Sequence, residues 1–259
     1  MTLPINTSGM KKILLITCGL IAASVQSRGQ FSSSGSIEYT KTVNVRMGMQ
    51  LEMAGEEGSE FMKEYIKKLP KNKTVLFKMD FDKNRSTYFY DKDGPEKVPM
   101  WGGKEPASEN IVVKNFATKT ITAQKEVYDN TYIVKDSLPR YEWKILDEMR
   151  PIAGYNCRKA TTMIDDSVVV VAYYTEQIMV SSGPESFSGL PGMILGLAIP
   201  RLYTTWFATK VYNVPLHENE VKKMGKGKEI NNEQLIKTLQ PRLKDWGKQG
   251  TQMLWRIRI

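Results

Sequence analysis

The most distinctive stretch of the sequence is SGPESFSGLPGMILGLAI, residues 182–199. Gly183, Gly189 and Gly192 permit a positive φ, and Pro191 has no backbone N–H to donate to a sheet. We therefore predict a turn at residues 189–192 that leads into a strand at residues 193–199. One face of this strand carries large apolar side chains and the other carries smaller ones, which favours close packing of another element over a ligand groove.

Alternation of apolar and polar residues extends to both sides of this stretch and predicts a mainly β protein. Short turns separate the strands. We interpret the adjacent Asp165 and Asp166 as one such turn rather than as a pair of catalytic carboxylates, because neighbouring residues on a tight turn diverge. The predicted strands are residues 37–45, 73–81, 85–90, 111–116, 118–123, 126–134, 141–146, 157–165, 167–175, 193–199 and 202–214.

Two regions switch to a helical pattern. Residues 56–69 place apolar and charged side chains on opposite faces and end at Pro70. Asn231 or Asn232 is expected to cap a later helix, with Pro241 beginning a second turn. Residues 254–259 alternate and could add a last edge strand. The expected fold is mainly β (α+β): a single curved antiparallel sheet or half-barrel with one or two peripheral helices.

Residues 1–29 are predicted to be a secretory signal peptide. Lys11 and Lys12 form a positive segment, residues 13–23 form an apolar run, and small residues follow. We expect export to the periplasm or beyond and a single domain over residues 30–259. No later window offers the roughly 20 uncharged apolar residues of a membrane span, so no transmembrane segment is expected in the mature chain.

Composition excludes several kinds of site. Two cysteines and one histidine in 259 residues cannot build a disulfide framework or a Cys/His structural zinc site. Cys18 lies in the signal peptide, so Cys157 is the only thiol of the mature chain, and its place in a predicted strand favours apolar packing over a nucleophilic role. The net charge is +9, but the cations are scattered apart from a solvated run at residues 222–228. We therefore expect no nucleic-acid binding.

The central part of the chain resembles a known family. The resemblance is carried by Trp143-Lys144-Ile145, by Ile152 to Tyr155 with Cys157, Lys159 and Ala160, by Ala172 to Thr175 with Ile178, and by Gly183, Pro184 and Phe187 ahead of residues 189–194. In this order and spacing these residues resemble the GLPGLI family of exported proteins typical of the Bacteroidetes. Met193 replaces the family's leucine and Tyr173 stands in place of a tryptophan, and both keep apolar bulk.

The resemblance implies an exported, mostly β protein without an established activity, and it supplies no catalytic residue. We take the signature positions to be structural: Gly154, Tyr155, Cys157, Gly183, Pro184, Gly189, Leu190, Pro191 and Gly192. The predicted sheet and helix also look like the curved half-barrel of periplasmic lipoprotein carriers, which is an analogy of fold alone.

Two kinds of chemistry stay open beside simple binding. A hydrolase would need more than His217 beside Glu218, because no Gly-x-Ser-x-Gly elbow supplies a nucleophile, although carboxylates from distant strands leave no local signature. A Cu(I) site could use the thioethers of Met47, Met49 and Met53, the first two on one face of a strand, although methionine more often fills a core.

Non-enzymatic binding is the hypothesis that the sequence favours. A curved sheet with helices on one side can hold an apolar ligand or a segment of a partner protein, for example another envelope protein. We expect no cofactor. The aromatic residues that could line such a cavity are Trp101, Trp143, Tyr173, Trp206 and Trp255.

Overall fold

Twelve strands form one curved sheet in the computed structural model, which describes residues 31–52, 60–98, 105–214 and 222–259. This confirms the predicted fold class. The strands are β1 (Gly35–Asn44), β2 (Asn72–Phe81), β3 (Arg85–Asp93), β4 (Ile111–Asn115), β5 (Thr120–Val127), β6 (Asn130–Ser137), β7 (Lys144–Ile152), β8 (Tyr155–Ile164), β9 (Val168–Thr175), β10 (Met193–Ile199), β11 (Thr204–Tyr212) and β12 (Lys228–Ile230). The helices of the described residues are α1 (Val45–Glu52), α2 (Glu60–Lys68), α3 (Asn232–Lys244) and α4 (Gly247–Arg258), with a 3₁₀ turn at Pro200–Leu202.

Two antiparallel meanders meet at β1, which pairs with β2 on one side and with β11 on the other. The strand order is β12-β6-β5-β4-β3-β2-β1-β11-β10-β9-β8-β7. Among the strands that the structure describes, only the short β12 pairs in parallel. Register shifts interrupt the ladders at Glu38/Tyr39, at Leu76/Phe77 and in β10. Such bulges bend a strand and increase its twist, which gives a long sheet its curvature.

The turn between β8 and β9 confirms the interpretation of the two adjacent aspartates. Asp165 and Asp166 have φ angles of 49° and 52°, and the Ser167 backbone N–H donates to the Ile164 carbonyl at 3.3 Å. Two consecutive residues with positive φ define the hairpin turn that matches the twist of the flanking strands. Both carboxylates are therefore carried on the tip of a hairpin.

The N-terminus of α3 is also as predicted. Asn231 caps the helix by accepting the Gln234 backbone N–H at 2.8 Å, and the Gln234 side chain accepts the Asn231 backbone N–H at 3.0 Å. This reciprocal pair satisfies two donors that a helix start leaves free. Pro241, however, lies inside α3 and does not begin a separate turn.

Three further predictions of secondary structure were wrong. Residues 126–134 do not form one strand, because Tyr128 adopts a φ of 53° and the chain turns between β5 and β6. Val45, Met47 and Met49 were expected on a strand, but they lie in the helix α1, Val45–Glu52. Residues 254–258 belong to α4 and not to an edge strand. Trp255 there packs under the guanidinium of Arg201 at 4.7 Å, and such tertiary contacts override a weak local pattern.

None of the helices in the described ranges has the length and apolar character that a membrane crossing requires. Residues 1–30, which include the predicted signal peptide, lie outside the described residues, so export stays a prediction.

Candidate functional site

The segment of residues 182–190, here called the signature loop, is packed into the interior on one face of the sheet, here called the inner face. All of its residues except Gly189 are buried. The Phe187 ring stacks on Tyr141 with centroids 5.0 Å apart, and the Trp143 indole N–H donates to the Ser188 carbonyl at 2.9 Å. A loop with so much buried backbone needs internal partners for its carbonyls.

Lys114 supplies those partners from β4. Its Nζ donates to the carbonyls of Gly183 at 2.6 Å and Phe187 at 2.7 Å, and the Ser182 hydroxyl lies 3.5 Å away. The side chain is fully buried. Burial lowers the pKa of Lys114 to about 7, although the charge of Glu185 opposes this shift. Lys114 thus holds both ends of the loop's central turn to the sheet.

Glu185 is the buried carboxylate of the loop, and it adopts a φ of 51°. One carboxylate oxygen lies 3.7 Å from the Nζ of Lys41, and the other accepts the Asn110 side-chain N–H at 3.1 Å. The Lys41 ammonium also faces the Trp206 ring at 5.3 Å. Buried charges are tolerated when they are paired in this way.

The turn after the loop explains two signature glycines. Gly189 and Gly192 have φ angles of 95° and 144°, and the Gly192 N–H donates to the Leu190 carbonyl at 2.7 Å. A Cβ at Gly192 would lie 2.8 Å from the carbonyl carbon of Thr175 and closer still to its oxygen. Pro191 sits between the two bonded residues, at the exposed corner of the turn. Gly189 and Gly192 thus allow the backbone conformation that this turn requires.

Close packing also explains the small-residue face of β10. A Cβ at Gly196 would lie 2.8 Å from side-chain carbons of both Ile152 and Phe207, and one at Gly183 would lie 2.7 Å from the Ile194 Cβ. Pro184 is buried beside Gly183. The predicted preference for packing over a ligand groove is confirmed at this face.

The remaining signature residues lie at the β7–β8 hairpin. Gly154 occupies the turn with a φ of 85°, and the Tyr155 hydroxyl accepts the Asn213 side-chain N–H at 3.0 Å. Cys157 is fully buried, and burial raises the pKa of its thiol to about 12. A protonated, inaccessible thiol is no nucleophile, in agreement with its predicted packing role.

A cavity of about 600 Å³ lies between the strands β4–β6, the β8–β9 turn and the end of α4. Its floor is apolar and comes from the inner face of β4, β5 and β6. The rim is formed by residues 139–142, by the β8–β9 turn and by α4. The lining residues are Val112, Ile121, Ala123, Lys125, Val134, Pro139, Arg140, Tyr141, Glu142, Met163, Ile164, Asp165, Asp166, Ser186, Asn232, Trp255, Arg258 and Ile259.

Lys125 is the buried cation of this lining. Its Nζ donates to the Ile257 carbonyl at 2.6 Å, a carbonyl in the last turn of α4 that has no partner within the helix. Burial lowers the pKa of Lys125 to about 8, with Glu185 opposing the shift and Lys41 adding to it.

The charges at the rim are more exposed. Arg140, Glu142 and Asp166 are exposed to solvent, and Asp165 forms an ion pair with Arg258. Below them, the hydroxyls of Tyr141 and Ser186 lie 2.8 Å apart, and burial raises the pKa of Tyr141 to about 12. The cavity therefore combines an apolar floor, a buried cation and a polar mouth.

Of the aromatic residues proposed to line a cavity, Trp255 does so. Trp206 lines a second cavity of about 20 Å³, which has room for one water molecule. Trp143 packs against the signature loop, and Tyr173 lies under the guanidinium of Arg150 at 5.6 Å. Trp101 is outside the described residues.

The proposed Cu(I) site depended on Met47 and Met49 sharing one face of a strand, and the structure does not show this arrangement. Met47 and Met49 lie on α1, where residues two apart point in different directions, and so do not share a strand face. Met53 and His217 are outside the described residues. Within the described ranges, no group of three or more His, Cys, Asp or Glu side chains is placed to hold a metal ion.

Sequence reasoning missed Lys114, Lys125 and Glu185. The two lysines had a signal that was available, because each occupies an apolar-face position of a strand, Lys114 two residues after Val112 and Lys125 two residues after Ala123. A lysine on the buried face of a strand needs an internal partner. Glu185 had no such signal, since a loop has no periodicity.

Fold and site define a mainly β protein in which one curved, open sheet packs around an inserted loop and leaves a cavity beside it. A family model described as "Protein of unknown function (Porph_ging)" matches residues 162–196, from β8 through the signature loop to β10. The match supports a family of unknown function for this segment, and the GLPGLI name rests on the sequence resemblance alone. No curated protein matches the chain.

Solved structures resemble this chain at low sequence identity. The chain is similar to PNGF-II in its P21 crystal form, with a TM-score of 0.51 and 16% identity over 80% of this chain and 33% of that chain. The C2 form gives 0.47 and 15% over 87% and 33%. An uncharacterized conserved protein from Thermus thermophilus gives 0.39 and 8% over 78% and 92%. This chain thus spans about a third of the length of PNGF-II, and the likeness is one of fold.

Proposed function

We propose that the protein is an exported, non-enzymatic binding protein that holds an apolar or amphipathic ligand in the cavity beside the signature loop. The observation that carries the proposal is the cavity itself. Its volume of about 600 Å³ lies in the range of roughly 300–1,000 Å³ that small-molecule sites occupy. Its floor of Val112, Ile121, Ala123 and Val134 offers apolar surface to a ligand, and its mouth is polar.

The reactive groups near the cavity favour binding over catalysis. Asp165 is engaged by Arg258, while Glu142 and Asp166 are exposed to solvent at the rim. A catalytic acid usually needs a buried setting that raises its pKa. The Cys157 thiol, with its pKa raised to about 12, stays protonated and belongs to the packed core.

Export is part of the proposal and rests on the sequence of residues 1–29, with Lys11 and Lys12 ahead of an apolar run. An exported carrier would meet its ligand in the envelope or outside the cell. A segment of a partner protein is the alternative occupant of the same cavity.

Replacing Ala123 with phenylalanine is expected to weaken binding of a neutral apolar probe, because the new ring would occupy the empty space above the floor. The probe is N-phenyl-1-naphthylamine, whose fluorescence rises in apolar surroundings. The wild-type protein should give saturable enhancement, and Ala123→Phe should weaken the apparent affinity at least about tenfold, which corresponds to about 1.4 kcal/mol.

Thr122→Phe is the matched control, because Thr122 is the neighbour of Ala123 on the opposite face of β5. It should bind the probe as the wild type does, with both variants checked for an unchanged circular dichroism spectrum. Equal binding by the two variants would place the probe elsewhere and count against the cavity as the ligand site.

A further inference from the structure

Lys125 is a buried cation with unused hydrogen-bonding capacity beside an apolar floor. It is 3% exposed and lines the cavity. Among the described residues its one hydrogen-bond acceptor is the Ile257 carbonyl at 2.6 Å. A lysine ammonium has three N–H donors, so two remain for a group inside the cavity.

The carboxylates around Lys125 are either paired with other side chains or exposed to solvent. Glu185 is a buried carboxylate whose charge raises the pKa of Lys125. It already forms an ion pair with Lys41 and accepts a hydrogen bond from Asn110. At the rim, Asp165 is paired with Arg258. The carboxylates of Glu142 and Asp166 face water, where the high dielectric constant weakens their effect on a buried site. The inner end of the cavity therefore favours an anion.

The floor sets the direction in which such a ligand would lie. Ile121, Ala123 and Lys125 occupy successive inner-face positions of β5, so they are spaced about 6.6–6.8 Å apart along the strand. The Lys125 ammonium thus lies at one end of the apolar row formed by Ala123 and Ile121, here called the Ala123–Ile121 track. Val112 and Val134 on the neighbouring strands add apolar surface on either side of it.

We infer that the cavity selects an amphipathic anion, with the negatively charged head group on the Lys125 ammonium and the apolar chain along the Ala123–Ile121 track. This inference rests on the proposed function, since it names the chemical class of ligand for the same cavity. Lys125 has two tasks in this arrangement, binding the head group and capping the end of α4.

The test compares three probes of equal chain length by isothermal titration calorimetry: decanoate, 1-decanol and decyltrimethylammonium, each below its micelle concentration. Wild-type protein should bind decanoate about tenfold or more tightly than decanol, as a charge-assisted hydrogen bond to a buried partner allows. The decyltrimethylammonium ion should bind most weakly. Lys125→Met should lower decanoate affinity to that of decanol while leaving decanol binding unchanged.

Two more variants separate head-group binding from a structural effect. Lys125→Arg should keep the preference for decanoate. Lys135→Met should leave all three affinities unchanged, because Lys135 is an exposed lysine of β6 that pairs with Glu229 of β12. The three-probe comparison on wild-type protein needs no variant, so it decides the charge preference even where Lys125→Met fails to fold.

Each outcome bears on a different claim. Equal binding of all three probes would overturn the anion preference and leave the cavity proposal standing. Equal loss of decanoate and decanol in Lys125→Met would also overturn it, since Lys125 would then act only through α4. Binding of none of the probes to wild-type protein would overturn both the inference and the cavity proposal.

Discussion

Gly192→Ala is expected to destabilise the protein by about 4 kcal/mol or more, the range of substitutions that break a specific structural requirement. The backbone φ of 144° belongs to a region that glycine occupies and L-residues avoid. A methyl group there would also overlap the Thr175 carbonyl and lie 3.0 Å from the Glu176 Cα. Both neighbours are backbone atoms, so the clash cannot be relieved by moving a side chain.

Gly154→Ala and Gly189→Ala are the matched controls for this prediction. Both positions have positive φ, 85° and 95°, but an added Cβ meets nothing within 4 Å at Gly154 and only the Trp143 ring at 3.6 Å at Gly189. In these two variants, backbone strain alone should lower the free energy of unfolding by about 1–2 kcal/mol. Urea denaturation measures the free energy of unfolding of all three variants. Similar losses at all three positions would show that the close approach at Gly192 is not decisive.

Lys114→Met is the second substitution with a large expected effect: it should lower the free energy of unfolding by about 3–5 kcal/mol at pH 7. The substitution leaves the Gly183 and Phe187 carbonyls buried without their donor, and each unsatisfied buried polar group costs about 1–3 kcal/mol. The exposed substitution Lys135→Met serves as control and should cost less than about 1 kcal/mol. A Lys114→Met protein as stable as Lys135→Met would mean that the signature loop does not depend on this clamp.

The pH dependence of unfolding gives an independent check on the buried lysines. Burial lowers the pKa of Lys114 to about 7 and that of Lys125 to about 8, both below the ordinary lysine value. Between pH 7 and about 9 the unfolded chain therefore binds more protons than the folded one, so the free energy of unfolding should rise with pH. Burial raises the pKa of the Cys157 thiol to about 12 and also raises the pKa of Tyr39 and Tyr88. These groups oppose the rise above about pH 8.5, the ordinary cysteine value, and reverse it near pH 10.

We expect wild-type protein to be more stable at pH 9 than at pH 7, and Lys114→Met to show a clearly smaller gain over the same interval. Chemical denaturation at the two pH values measures both. An identical gain in the variant would show that the Lys114 ammonium keeps its proton when folded.

The sequence predicts a strand well where apolar and polar side chains alternate. In β2, buried side chains alternate with more exposed ones from Val75 to Phe81, and residues 73–81 were predicted as a strand. The Asp165–Asp166 turn and the Asn231 cap depend on local chemistry. Residues 45–49 and 254–258 were mispredicted, because short segments with mixed patterns take their structure from tertiary contacts.

The site was harder to predict than the fold. The signature loop has no period, so nothing local shows that Glu185 lies inside the protein or that Lys114 reaches two of the loop's carbonyls. The cavity depends on β5, α4 and the β8–β9 turn coming together from distant parts of the chain. Only the placement of lysines on apolar strand faces carried a usable signal.

Native mass spectrometry tests the binding proposal most directly, on wild-type protein and Ala123→Phe purified from the native host without detergent. We expect the wild type to retain a mass of small-lipid size that organic solvent releases, and Ala123→Phe to show the bare polypeptide mass. A bare polypeptide mass for the wild-type protein would contradict ligand carriage in the cavity.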